Sequence, residues 1–197
     1  RYRILNKRYR AGIVVLVAPS GAGKSTMARR LLDDFDNLRF STSATTRPPR
    51  EHETDGEDYH FLTHEEFQQK IDANEFLEWE EVFNGNRYGT LRSAIENLME
   101  NDYFVLLDIE VLGALNVKEM YGDQAFCIYI MPPDLEELKR RLQKRGTESE
   151  EMLQSRLERA RKELDFADRF DTVVINDDLE TAYAEIHELV REYMGAC

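Results

Sequence analysis

The sequence predicts an α/β protein: a parallel sheet flanked by helices, interrupted once by an inserted lobe and again by an arginine-rich segment. Three observations carry this expectation. Four short runs, Ile13 to Ala18, Tyr103 to Ile109, Phe126 to Met131 and Thr172 to Asn176, are nearly continuously apolar and rich in β-branched or aromatic residues, the pattern of strands covered on both faces. Helical patterns lie between and after them, at Lys24 to Asp33, Ser93 to Glu100, Asp134 to Lys144, Glu150 to Asp165 and Leu179 to Tyr193. Such alternation implies right-handed crossovers. The first run also leads straight into a glycine loop that opens a helix.

The elements follow in order. After the first strand comes Ala18-Pro19-Ser20-Gly21-Ala22-Gly23-Lys24-Ser25-Thr26, the strand, loop and helix order of a phosphate-binding P-loop. Glycines let successive N–H groups converge on phosphate oxygens, and the helix N-terminus adds its positive end. Lys24 supplies a point charge for the β- and γ-phosphates, and the Ser25 hydroxyl suits Mg²⁺. The pattern's first position is usually Gly and is Ala18 here. Residues 40 to 92 break the rhythm with Thr, Pro, Gly and Tyr, one short helix near His64 to Ala73 opened by a Thr63/Glu66 capping box, and antiparallel strands around it. Asp134 and Glu137 have the same capping spacing. Strand Tyr103 to Ile109 ends in Leu107-Asp108-Ile109-Glu110, delivering carboxylates to the sheet's carboxyl edge, where ligands sit in open α/β folds; Asp108 could equally cap the next helix.

Composition limits the function classes. A chain of 197 residues suits one domain with lobes, and 42% apolar with 33% charged residues excludes disordered and collagen-like classes. A net charge of −13 disfavours nucleic-acid partners. The longest apolar run, Ile13 to Ala18, falls far short of the roughly 20 residues of a membrane span. Cys127 and Cys197 form no disulfide framework or metal spacing, and no signal-peptide pattern is present, so a cytoplasmic location is expected. His60 and His64 lack a third ligand, so no zinc site is expected. Residues 1–10, with five basic residues and no initiating Met, are set aside as an extension.

The insertion carries Ser43-Ala44-Thr45-Thr46-Arg47-Pro48-Pro49-Arg50, Gly56-Glu57-Asp58-Tyr59, Phe76-Leu77-Glu78-Trp79 and Arg87-Tyr88-Gly89-Thr90. With the P-loop, these motifs resemble the guanylate kinases over nearly the whole chain, from about Gly12 to Met194. The resemblance implies transfer of the γ-phosphoryl of MgATP to GMP or dGMP by a monomer or weak homo-oligomer. It implies a core (11–42, 93–138 and 158–197), a GMP-binding lobe (43–92) and a lid (about 139–157). ATP would be held by residues 18–26, with Asn176 beside the adenine, although a strand-end turn role for Asn176 is an open alternative. Arg47, Arg50, Tyr59 and Tyr88 would hold the GMP phosphate with forked cations and phenolic donors. Glu78 would read the paired donors of guanine, N1–H and the exocyclic amine, with Ser43 and Thr90 as hydroxyl contacts. Asp108 and Glu110 would lie at the GMP site, Asp108 also serving Mg²⁺ through water; the family usually has Asp where this chain has Glu110. Arg47, Arg141, Arg145 and Arg156 join Lys24 as the expected catalytic cations, whereas Arg159 and Arg161 are expected to be solvated or paired with Glu158 and Glu163. Two alternatives stay open: a non-catalytic interaction module of the same fold, and a monophosphate kinase for another base.

Overall fold

Ile13–Val17 form β1, and all five side chains are inaccessible to solvent. Each such side chain contributes about 1.5–3 kcal/mol by leaving water, so this strand is where the sheet must be covered on both faces. In the computed structural model, which describes residues 10–19, 21–81, 85–144 and 150–195, β1 is the middle strand of five. The others are β2 (Leu38–Phe40), β7 (Phe104–Asp108), β8 (Ala125–Met131) and β9 (Thr172–Ile175). Their order is β2-β7-β1-β8-β9 and every pairing is parallel. Alternate residues of β1 enter two cores. Val14 and Leu16 join Leu31 of α1 (Lys24–Asp34) and Ile186 of α7 (Leu179–Met194). Ile13, Val15 and Val17 join Ile95 of α3 (Arg92–Glu100) and Val117 of α4 (Val111–Tyr121).

A second sheet, of order β4-β3-β6-β5, is built from β3 (Ala44–Thr45), β4 (His60–Phe61), β5 (Phe76–Glu81) and β6 (Arg87–Leu91). β5 and β3 pair antiparallel with β6, while β3 and β4 run parallel. Helix α2 (His64–Asp72) covers it with Phe67, stacked on Phe76 at a centroid distance of 4.3 Å. Its N-terminus is fixed by the Thr63/Glu66 capping box, both reciprocal bonds being present. One residue of this sheet belongs elsewhere: Leu77 of β5 is buried in the central core cluster with Ile109, Val111 and Ala114.

Helices α5 (Leu135–Lys144) and α6 (Glu150–Leu164) pack through Leu138, Leu142, Leu153 and Ala160. At the start of α5 only half of a capping box forms. Asp134 accepts from the Glu137 N–H at 2.7 Å, but the Glu137 carboxylate is taken by Arg140 and Arg141. Two elements were not expected from the sequence, β2 and α4. No helix among the described residues is long and apolar enough to cross a membrane.

Candidate active site

β1 lies between β7 and β8, so its carboxyl end opens into a crevice where strand order reverses, the ligand position of open α/β sheets. The loop after it ends at Gly23, with φ +97°, which starts α1 without a side-chain cap and with no acidic residue in the first turn. An uncapped, positive helix end is the arrangement that receives an anion. Only glycine fits at that turn: a Cβ on Gly23 would stand 2.7 Å from Asn176 Nδ2. Lys24 Nζ meets Asp108 Oδ1 at 2.7 Å and donates to the Ile109 carbonyl at 3.1 Å. Ser25 Oγ donates to Asp108 Oδ2 at 3.2 Å. Thus β1 and β7 bring the P-loop lysine, its neighbouring hydroxyl and a carboxylate together. Of the loop's other members, Ala18 and Ala22 are buried, and Ser20 lies outside the described residues. Ala22 N–H donates to the Pro19 carbonyl, and Thr26 N–H to that of Gly23.

Asn176 is 3% exposed and does not present itself as an open base-binding group. Its Nδ2 donates to the Ala22 carbonyl at 2.7 Å, bracing the P-loop from the end of β9, while its Oδ1 is buried without a protein partner.

In the second sheet, Glu78 and Thr90 face each other across β5 and β6, and Thr90 Oγ1 donates to Glu78 Oε1 at 2.7 Å. A register irregularity between Phe76 and Glu78 re-aims this stretch of β5. Desolvation pushes the Glu78 carboxyl above the ordinary range, against the lowering effect of Thr90. Helix α4 comes so close that a Cβ on Gly113 would be 2.9 Å from Glu78 Cγ, which keeps that face of the carboxylate away from water. Ser43 precedes β3 and is half-buried.

Arg47 is gripped by Glu53, each Nη donating to one carboxylate oxygen at 2.6 Å. Glu53 also accepts the Arg50 N–H at 2.7 Å. The pair pushes Arg47 up, and Arg47 holds Glu53 down to about 2. The guanidinium lies 4.9 Å from the Tyr59 ring, and Tyr59 meets Tyr88 edge-on at 6.0 Å. Arg47, Tyr59 and Tyr88 are therefore one cluster, with the Arg50 backbone tied to it and its side chain exposed. Glu53 is a residue that the sequence reading missed; its six-residue spacing from Arg47 in one loop was the available signal.

On the helical pair, Arg141 Nε donates to Glu137 at 2.6 Å and its Nη2 to the Asp177 carbonyl at 3.2 Å. Arg156 is half-buried on α6. Arg145 lies outside the described residues. Arg159 pairs with Glu163, one of its expected partners, but also reaches Glu110 at 3.0 Å, a contact between residues far apart in sequence. The Arg159–Glu163 pair was among the expectations; the reach of Arg159 to Glu110 was not.

The chain is similar to known proteins along nearly its whole length. The family model described as guanylate kinase matches residues 10–193. A guanylate kinase of Salinibacter ruber is 54% identical over 93% of this chain and 97% of its own length. One of Porphyromonas gingivalis is 46% identical over 93% and 98%. The crystal structure of guanylate kinase from Anaplasma phagocytophilum superposes with a TM-score of 0.68 at 34% identity, covering 94% of this chain and 86% of that one. A matching P-loop, a second sheet with a desolvated glutamate and likeness along nearly the whole length place this chain in the guanylate kinase family.

Proposed function

We infer that the protein transfers the γ-phosphoryl of ATP to the phosphate of GMP, giving ADP and GDP. The observation that carries this is the meeting of Lys24, Ser25 and Asp108 at the carboxyl ends of β1 and β7, together with a desolvated Glu78 that packs against α4 and interacts electrostatically with Glu110. One end suits a polyphosphate and the other a base with two adjacent donors, as guanine has. The ATP phosphates would lie along residues 18–26, with Asn176 bracing the loop. The GMP phosphate would bind Arg47, Arg50, Tyr59 and Tyr88, its base reaching Glu78, Ser43 and Thr90 and its sugar lying toward Asp108 and Glu110.

In the transfer, an oxygen of the GMP phosphate bonds to the γ-phosphorus as the bridging bond to ADP breaks, without redox change. The loose transition state spreads charge over the equatorial oxygens, so positioning and neutralisation dominate. Lys24 would follow the migrating group, while Arg47, Arg141, Arg145 and Arg156 neutralise its charge and exclude water. Mg²⁺ binds through few protein oxygens plus nucleotide phosphates, and the hydroxyl and carboxylate at 3.2 Å form such a donor set. Ser25 would hold the ion directly and Asp108 through water; bound, it supplies charge neutralisation. The segmental reading, core, GMP-binding lobe 43–92 and lid about 139–157, belongs to the same proposal, as does a reducing cytoplasmic compartment compatible with the buried free thiol of Cys127.

A coupled assay offering GMP, dGMP, AMP and UMP with MgATP tests the reading. Turnover with the guanine nucleotides alone is expected. No turnover with any of them would sink the enzymatic reading, and preference for AMP or UMP would sink the assignment of Glu78.

A further inference from the structure

We propose that Arg159 is a positioning residue for phosphoryl transfer and that Glu110 is its partner: their ion pair fixes α6 against the carboxyl end of β7. The inference deepens the reading above, on which it rests, because Arg156 lies three residues before Arg159 and so shares its helix face.

Arg159 uses two nitrogens of one planar fork for two different carboxylates. Its Nε donates to Glu163 Oε1 at 2.8 Å and its Nη2 to Glu110 Oε2 at 3.0 Å. Glu163 is only 8% exposed and cannot swing away, so it anchors the guanidinium through Nε and leaves Nη2 aimed at Glu110. Such a two-sided grip sets orientation, which a point charge does not. Glu110 in turn is the N-cap residue of α4 and stands two positions after Asp108, which holds Lys24. The line Lys24, Asp108, Glu110, Arg159, Glu163 therefore joins the P-loop to α6. Arg159 also interacts electrostatically with Glu80, and Glu110 with Glu78, so its charge offsets repulsion among carboxylates at the rim of the acceptor lobe.

The length of Glu110 has a purpose in this arrangement. Aspartate would withdraw the carboxylate by one carbon–carbon bond, about 1.5 Å, taking a 3.0 Å contact beyond hydrogen-bond range. The Arg159 side chain is 59% exposed and that of Glu110 43%, and pairs this exposed contribute little to stability. Orientation of α6 is what remains for the pair to supply.

The test uses steady-state kinetics of the full chain with GMP and ATP, for Glu110→Asp, Arg159→Ala, Arg159→Lys and the Glu110→Asp/Arg159→Ala double variant. Glu110→Asp and Arg159→Ala should each lower kcat about five- to tenfold, and the double variant should fall no further than the worse single one. KM for ATP should stay within about twofold. Arg159→Lys keeps the charge without the fork and should recover only part of kcat. Because Arg159→Ala strands buried Glu163 and could unfold the chain, Glu110→Asp, which keeps that pair, carries the test together with Arg159→Lys, with melting curves as control and KM for GMP separating a lost sugar contact from a lost ion pair. Wild-type kcat in Glu110→Asp, multiplicative losses in the double variant, or full recovery by lysine would overturn the proposal. Lys24→Ala is assayed alongside. If it turns over normally, the site reading falls and the pair with it; if it is inactive while the pair's losses multiply, only the pair falls.

Discussion

In Glu78→Gln, the oxygen that accepts from the Thr90 hydroxyl at 2.7 Å can persist as the amide carbonyl, and the other carboxylate oxygen becomes an NH₂ donor. That donor would oppose a guanine donor in a half-buried site with α4 against it. Leaving opposed donors desolvated costs about 2–4 kcal/mol, or roughly thirtyfold to a thousandfold in kcat/KM for GMP. Selectivity for GMP over AMP should narrow, and ATP binding without GMP should not change. Stability should move the other way. Because desolvation raises the folded-state pKa of Glu78, its contribution to stability is full below the unfolded value and is lost as pH rises through the folded one. Above the folded-state pKa the wild-type protein holds an ionised carboxylate at a desolvation cost that the amide removes. The variant should melt at or above the wild-type temperature near pH 8, and the acid limb of kcat/KM for GMP, displaced above the usual glutamate range, should flatten. The assays are coupled kinetics with GMP and AMP and thermal melts across pH. Retained GMP activity and selectivity in a folded Glu78→Gln protein would refute the base-reading role.

Three further outcomes are expected. Lys24→Ala should lose several kcal/mol of transition-state stabilisation, on the order of a thousandfold in kcat, with circular dichroism unchanged; near-normal turnover would remove Lys24 from the chemistry. Asn176→Ala strands the Ala22 carbonyl and should cost about 1–3 kcal/mol in denaturant unfolding while raising KM for ATP more than KM for GMP; equal changes in both would deny the bracing role. Thr63→Ala removes the hydroxyl that accepts from the Glu66 N–H, leaving the backbone half of the α2 capping box, and should cost about 1 kcal/mol with kcat nearly intact, and a large loss of kcat would link α2 to the chemistry.

Local chemistry was what the sequence displayed best. The strands β1, β7, β8 and β9 were visible as short apolar runs because burial on both faces leaves no polar alternation. Helix α4 escaped for the same reason turned around: Val111, Leu112, Gly113, Ala114, Leu115 and Val117 make it apolar on nearly every side, so no helical period stands out. β2 is three residues long with only Leu38 buried, too little to form a pattern. At the site, the P-loop was legible because its residues are contiguous. The Asn176 brace on Ala22 and the contact of Arg159 with Glu110 were not, since they join segments 154 and 49 residues apart, and nothing local distinguishes such an arginine from a solvated one.

The position of Leu77 bears on how this architecture can be recombined. The stretch from Ser43 to Arg92 looks like a cassette that could be exchanged between relatives to change the acceptor base, yet Leu77 fills part of the central core with Ile109, Val111 and Ala114. A transplant that supplied a smaller residue there would open a void costing about 2–5 kcal/mol, a large share of a domain's net stability. Chimeras should therefore carry Leu77 and its three core neighbours as one unit, with the junctions drawn around that packing rather than at the ends of the second sheet.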